Sequence, residues 1–193
     1  MLENILTTKN CSVKVKLTVK SCVSAGLVLL AVVLPQLVHF AAGVSGGTTW
    51  LPMYLPVLLA GCLLGVRWGL GVGLLSPLVS FLLTSAAGNP MPAAARLPFR
   101  MAELGVFAVV SGLFAGKIAC SWWMAFPAVL LAQLAGRAAF MLLAVIFQSV
   151  APFTPAMVWA QIQTGLIGLL LQAVLAPVIV AAVRRLLVRD GRV

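Results

Sequence analysis

Three charged side chains lie within, or at the edge of, long apolar segments: Arg100, Glu103 and Arg137. A charge at bilayer depth is costly, so it generally faces the interior of a helix bundle or a wet cavity. Arg100, Glu103 and Phe107 are spaced to share one helix face. Arginine binds carboxylates and phosphates through two parallel hydrogen bonds. The pattern therefore predicts either a pocket for a small anionic ligand or a structural Glu103–Arg137 pair that binds none.

The reactive residues argue against an enzyme. His39 is the single histidine, and Glu3, Glu103 and Asp190 are the acids. A Ser-His-Asp triad or a carboxylate dyad cannot be assembled at membrane depth from this set. The sequence around Ser111 lacks the first glycine of a GxSG motif, and there is no Walker A motif. We therefore expect no catalysis, no cofactor and no metal site.

The composition is that of a membrane protein. Of the 193 residues, 63% are hydrophobic and 8% are charged, whereas a soluble domain carries about 25% charged residues. The net charge of +10 could suggest a nucleic-acid partner, but the cations lie at the ends of apolar runs rather than on one patch. We therefore expect one membrane domain and no nucleic-acid binding.

The distribution of cations selects a topology. Residues 51–84 could form one tilted helix or two short helices that turn near Arg67. Cytoplasmic loops collect lysine and arginine, and only the two-helix reading places most cations on one side. We therefore predict an all-α integral membrane protein with six transmembrane helices and cytoplasmic N- and C-termini. The predicted parts are tails at 1–20 and 189–193, a membrane domain at 21–188, and spans at 21–42, 51–84 (two helices), 97–116, 122–147 and 156–183, the last interrupted at Pro177.

The stretch between the first and fourth spans is rich in glycine. Gly43–Thr49 is predicted to be a flexible loop on the outer side, since glycine adopts backbone angles that other residues avoid. Glycines then recur every fourth residue from Gly61 to Gly73, a spacing that lets helices approach closely. The first loop is either a lid over a ligand or a membrane-interface anchor.

Other polar and aromatic residues are candidates for ligand binding because they fall on the same outer half. By helical spacing, Arg137 and Gln148 share one face of the fifth predicted span, and Trp159 and Gln163 share one face of the sixth. The full set of predicted substrate-binding residues is His39, Trp50, Tyr54, Asn89, Arg96, Arg100, Glu103, Arg137, Gln148, Trp159 and Gln163.

Several segments together resemble a known family. They are LPMYLPVLLAGCLLGVRWGLGVGLLSPLVSFLLT, LPFRMAELGVFAVVSGLFAG and AGRAAFMLLAVIF, and over roughly residues 38–147 the chain resembles the substrate-binding S component of energy-coupling factor (ECF) vitamin transporters. The resemblance implies a six-helix fold in the bacterial cytoplasmic membrane, with a vitamin held near the outer side. Tyr54 stands where many similar sequences carry histidine, which leaves the identity of the ligand open.

The resemblance also implies partners: a transmembrane coupling subunit and two cytosolic ATPase subunits. In this family small-residue patterns on the first helix contact the coupling subunit, and Ser21, Ala25, Cys22 and Gly26 are the matching residues here. Because arginines outnumber Glu103 on the outer half, an anionic vitamin such as pantothenate is expected, with a pyridoxine or a flavin as neutral alternatives. The other interpretation is a non-transport membrane scaffold of cell-envelope machinery.

Overall fold

The fold was analysed in a computed structural model, which describes residues 12–86, 88, 92–148 and 154–189. Within these residues the chain is helical and forms no strand, so the predicted all-α class is confirmed. Two 3₁₀ turns, Ala94–Arg96 and Trp122–Met124, precede helices. The helices are α1 Val13–Trp50, α2 Tyr54–Leu64, α3 Val66–Ala86, α4 Leu97–Leu113, α5 Ala115–Cys120, α6 Ala125–Ile146, α7 Pro155–Thr164 and α8 Leu166–Arg189.

In the part of the chain that the structure describes, four segments are long and apolar enough to cross a membrane: Val13–Gly43, Val66–Ala86, Trp122–Ile146 and Leu166–Leu186. This architecture is that of a membrane protein, because about 20 apolar residues span a bilayer core of ~30 Å. α2 is apolar but has only 11 residues, and α4 has 17 residues and contains both Arg100 and Glu103. Six crossings therefore stay a prediction.

The first helix begins earlier than its predicted span. Ser12 caps α1 by accepting a hydrogen bond from the Val15 N–H (3.4 Å), as serine commonly does at this position. Residues 13–20, which the sequence predicted to be part of a polar tail, therefore form the first turns of the helix.

The prediction of a loop at Gly43–Thr49 is wrong. The backbone leaves the helical conformation at Gly43 (φ 68°, ψ −169°) and is helical again as far as Trp50. A Cβ placed on Gly46 would lie 3.4 Å from Val38 Cγ1. In a straight helix, positions 38 and 46 would be about 12 Å apart along the axis. The chain therefore turns back at Gly43, and the last part of α1, residues 44–50, is a short helix that lies beside the part before Gly43.

A second break separates this short helix from α2. Leu51 has a left-handed backbone (φ 47°), and the carbonyls of Trp50 and Leu51 both accept hydrogen bonds from Gln172 Nε2 of α8 (3.0 and 2.8 Å). α2 begins three residues later, at Tyr54, and nearly all its residues are buried. Residues 44–64 thus form one discontinuous helical segment, of which the part from Tyr54 to Leu64 is buried in the bundle.

The predicted pair of helices within 51–84 is confirmed, with the turn two residues before Arg67. Gly65 makes this turn with a positive φ of 86°. A Cβ on Gly69 would lie 2.9 Å from the Gly61 Cα, and one on Gly73 would lie 2.8 Å from the Leu104 carbonyl oxygen. The regularly spaced glycines therefore bring α2, α3 and α4 into backbone contact.

Two of the later predicted spans are each divided between two helices. The segment predicted as the fourth span covers α4 and the start of α5, which join at Phe114. The segment predicted as the sixth span covers α7 and most of α8; the interruption lies at Gly165, and α8 continues through Pro177. The core is built from α2, α4, α6 and α8, with Leu58, Leu104 and Phe107 among its largest fully buried residues.

One end of the bundle gathers the cations. Arg67 lines a groove together with Ser21, directly after Lys20, and Arg184 donates to the Cys120 carbonyl (3.1 Å), three residues after Lys117. We call this the cationic end. The opposite end, which contains His39 and Arg96, is called the cavity end.

Candidate functional site

A buried carboxylate lies at the centre of a polar cluster formed by three helices. Glu103 is fully buried. Its Oε2 accepts hydrogen bonds from the Tyr54 hydroxyl (3.0 Å) and Arg100 (2.8 Å), and its Oε1 accepts from Arg137 (2.9 Å). Both carboxylate oxygens are therefore paired, as a buried charge requires.

Local sequence explains why these four groups meet. Arg100 and Glu103 are one turn apart on α4, Arg137 is on α6, and Tyr54 is the first residue of α2 after the break at Leu51. Arg100 also donates to the Tyr54 hydroxyl. The discontinuity before α2 thus places the tyrosine hydroxyl within reach of the other three side chains.

Aromatic rings enclose the cluster. The ring of Tyr54 stacks on Phe107, with centroids 5.0 Å apart. The guanidinium of Arg137 lies 5.0 Å from the Tyr54 ring, and that of Arg100 lies 5.2 Å from the Phe140 ring. Such cation–π contacts hold a guanidinium in a low-dielectric environment, so both arginines have fixed positions.

The two arginines differ in what they can reach. The Arg137 side chain is 7% exposed, and its Nε and Nη2 are buried without a hydrogen-bond partner. The Arg100 side chain is 21% exposed, and its second terminal nitrogen donates to Gln161 Oε1 of α7 (3.2 Å). Two guanidinium groups against one carboxylate give the cluster one excess positive charge, and Arg100 presents it to solvent.

A cavity of about 340 Å³ opens against Arg100 at the cavity end. This volume falls at the small end of the range for ligand sites, about 300–1,000 Å³. None of the described lining residues is acidic. The lining residues are Pro35, Gln36, His39, Gly47, Leu51, Pro52, Met53, Tyr54, Pro77, Ser80, Pro92, Ala93, Arg96, Arg100, Leu104 and Gln161.

The structure brings some of the predicted site residues together and separates others. His39, Tyr54, Arg96 and Arg100 line the cavity, and Glu103 and Arg137 belong to the cluster beside it. Four other predicted residues do not line it and are exposed: Trp50, Gln148, Trp159 and Gln163. Asn89 lies outside the described residues.

The Trp50 side chain is exposed and does not line the cavity, whereas its carbonyl accepts a hydrogen bond from Gln172. Gln148 is exposed and lies just beyond the last turn of α6. The structure therefore does not bring these two side chains to the cavity, and their part in ligand binding stays a prediction.

The structure places Trp159 and Gln163 on an exposed face of α7, whereas Gln161, which the sequence analysis did not select, contacts Arg100. The sequence carries a signal for the buried face, because small or polar residues recur at helical spacing in this apolar segment: Gln161, Gly165, Gly168, Gln172 and Ala176. Such residues are typical of helix–helix interfaces in membranes.

The four small residues predicted to contact a partner fall on two different faces of α1. Ser21 and Ala25 line a groove against α3. Cys22 is exposed, and a Cβ on Gly26 would meet no atom within 4 Å. The second pair therefore presents an outward surface.

No family model, curated protein or solved structure matches this chain. The geometry of the site suits reversible binding of a small anion: a fixed, partly exposed guanidinium, a second arginine on the cavity wall, and amide and hydroxyl groups around them.

Proposed function

We propose that the chain is the membrane-embedded S component of an ECF-type importer, which captures a small, water-soluble anionic vitamin from outside the cell. The observation that carries the proposal is the cavity of about 340 Å³, whose described lining includes Arg96 and Arg100 and no acid. The chain would cross the bacterial cytoplasmic membrane six times, with the cationic end and both termini in the cytoplasm, as the positive-inside rule favours.

The break at Leu51 supports a ligand site at this position. In membrane proteins, irregular backbone is tolerated where it is buried in protein or lines a cavity, and transporters often bind substrates at discontinuous helices. Here Leu51, Pro52 and Met53 form the break and also line the cavity.

The cluster around Glu103 supports binding by holding Arg100 in place before a ligand arrives. Arg100 is oriented by Glu103 (2.8 Å), by the Tyr54 hydroxyl and by Gln161 (3.2 Å). A side chain that is already ordered loses little conformational entropy on binding, which improves affinity. The carboxylate therefore acts as a positioning group for the ligand-binding cation.

The cavity chemistry favours a vitamin with a carboxylate or a phosphate, and pantothenate is the first candidate. Arg96 and Arg100 would bind the anionic group, while Gln36, His39 and Gln161 offer hydrogen bonds to hydroxyl and amide groups. A pyridoxine or a flavin would lack a carboxylate to pair with the arginines.

Energy for uptake would come from partners. The chain carries no Walker A motif, so a transmembrane coupling subunit and two cytosolic ATPase subunits would drive release. The outward face with Cys22 and Gly26 is free of bulky side chains at these two positions and suits close contact with a helix of the coupling subunit.

Ligand extraction and direct binding test the proposal. Mass spectrometry of solvent extracts from the purified protein should identify one anionic vitamin, and calorimetry with a vitamin panel should show tight binding of the same compound. Arg100→Gln should weaken binding roughly 10- to 100-fold, since it removes a charged hydrogen-bond donor. The matched control Arg185→Gln, at the cationic end, should bind as the wild type does.

The outcome that contradicts the proposal is a panel with no binder, or equal affinities for wild type and Arg100→Gln. A membrane scaffold is the second candidate, because Glu103 and Arg137 are paired with each other and neither lines the cavity. In that case affinity purification should recover cell-envelope proteins and no ATPase subunits.

A further inference from the structure

A second cavity, of about 500 Å³, lies between α1 and α3 at the cationic end. The space between the two helices exists because small residues face it, Ala25 from α1 and Gly71 from α3. A Cβ on Gly71 would meet no atom within 4 Å. We call it the α1–α3 groove. Its lining residues are Ser21, Ser24, Ala25, Val28, Leu29, Arg67, Trp68, Gly71, Val72, Leu75 and Val79.

The groove changes from polar to apolar along its length. Ser21, Ser24 and Arg67 lie at its mouth, and Leu75 and Val79 lie at its far end. At a rise of 1.5 Å per residue, the distance from Arg67 to Val79 along α3 is about 18 Å. This length is close to one leaflet of the hydrocarbon core, which is about 15 Å deep.

Two polar groups lie at the mouth of the groove, one exposed and one buried. Arg67 is exposed, and none of the described lining residues is acidic. The Ser24 hydroxyl oxygen is buried and has no hydrogen-bond partner, a condition that is unfavourable unless another molecule supplies the partner. Trp68 lies beside Arg67, and tryptophan prefers the depth of the lipid headgroups.

We propose that the α1–α3 groove binds one anionic phospholipid. Arg67 would bind the phosphate, and one acyl chain would lie along Val28, Leu75 and Val79. The Ser24 hydroxyl, which is buried in this structure, would donate to an ester oxygen after its side chain rotates into the groove. The assignment follows from charge complementarity: basic pockets between membrane helices on the cytoplasmic side bind anionic headgroups, and arginine matches the geometry of phosphate.

The lipid site is separate from the outward face of α1. Ser21 and Ala25 point into the groove, whereas Cys22 and Gly26 do not line it. A protein partner could therefore dock on Cys22 and Gly26 while the lipid stays in place. The proposal does not depend on vitamin binding, since it concerns the opposite end of the bundle.

Native mass spectrometry of the full chain, released from nanodiscs, tests the proposal. The nanodiscs contain equal amounts of phosphatidylglycerol and phosphatidylcholine with the same acyl chains. The wild type should retain one phosphatidylglycerol in preference to phosphatidylcholine. Arg67→Gln should reduce this preference about fivefold, as expected for losing one cation beside an anionic headgroup. The control Arg185→Gln, at the same end but outside the groove, should keep it.

A second pair of variants tests the groove itself. Ala25→Leu and Gly71→Leu place side chains in open space and should reduce retention of both lipids, while gel filtration and circular dichroism confirm folding. Equal effects of Arg67→Gln and Arg185→Gln would overturn the proposal in favour of diffuse attraction. A dimer that Gly71→Leu abolishes, without any lipid preference, would show that a second copy of the chain occupies the groove.

Discussion

The same helices pack against each other in different ways at the two ends of the bundle. At the cationic end, Gly61, Gly69 and Gly112 let α2, α3 and α4 touch backbone to backbone. At the cavity end, α2 and α4 meet through the charged side chains around Glu103, and a cavity separates them from α1. Close packing without side chains leaves no room for movement, whereas a charged cluster beside a cavity leaves groups that a ligand can use. One end of the bundle is therefore a close-packed frame, and the other places charged groups beside a cavity.

The strongest test of this division is removal of the central carboxylate. Glu103→Leu leaves Arg137 buried and unpaired, and losing one partner of a buried ion pair costs about 3–5 kcal/mol. The free energy of unfolding, measured by denaturant titration in detergent, should fall by this amount. A loss below about 1 kcal/mol would show that the cluster is not a structural element.

A double variant separates charge from packing at the same position. In Glu103→Leu/Arg137→Leu both buried charges are gone, and replacement of a buried pair by apolar residues is often close to neutral. The double variant should therefore recover much of the stability lost in Glu103→Leu. If it does not, the loss comes from the altered packing around Phe107 rather than from the unpaired guanidinium.

The frame at the cationic end can be tested with a single methyl group. A Cβ on Gly61 would clash with Ser111 Oγ and lie 2.8 Å from the Ala108 carbonyl oxygen. Gly61→Ala should therefore lower the free energy of unfolding by about 1–3 kcal/mol, the usual cost of overpacking. The matched variant Gly26→Ala enters open space and should be neutral or up to about 1 kcal/mol more stable, because alanine favours a helix over glycine. Equal midpoints of thermal unfolding for the two variants would argue against a close-packed frame.

The helix break at Leu51 lies at the wall of the cavity, and Gln172 hydrogen-bonds to its backbone. Gln172→Leu removes one donor from each of the carbonyls of Trp50 and Leu51, but the Leu51 carbonyl still accepts from the Tyr54 N–H (3.1 Å). The substitution should cost about 1–2 kcal/mol, because it takes the Gln172 hydrogen bond from the Trp50 carbonyl. Hydrogen exchange should accelerate at the amides near the break. The control Gln133→Leu removes a bond to the Leu169 carbonyl, so it should leave exchange near Leu51 unchanged.

The sequence was informative about the frame because glycine spacing and cation placement have direct physical meaning. Four glycines at every fourth position predicted close packing, and Arg67 in an apolar run predicted a turn, which lies at Gly65. The same reasoning failed at Gly43–Thr49. Glycine permits a turn without excluding a helix, and this segment is held as a helix by tertiary contacts such as that between Trp50 and Gln172.

The site was predictable only in part. The cost of intramembrane charge singled out Arg100, Glu103 and Arg137 correctly as one cluster. Tyr54 was selected for its position beside a loop, but its hydroxyl contact with Glu103 depends on the break at Leu51, which local sequence does not encode. Gln161 was not among the predicted residues; helical spacing selected Trp159 and Gln163, which share an exposed face of α7.

That choice of face gives the test with the smallest expected effect. Gln161 accepts a hydrogen bond from Arg100 at 3.2 Å and lines the cavity, whereas Gln163 is exposed two residues away. If Arg100 binds the ligand, Gln161→Leu should weaken vitamin binding about fivefold, which corresponds to one hydrogen bond of about 1 kcal/mol. Gln163→Leu, the same substitution on the opposite face, should leave calorimetric affinity unchanged. A larger loss in Gln163→Leu than in Gln161→Leu would mean that the ligand lies outside the cavity and that the cavity end does not have the role assigned to it.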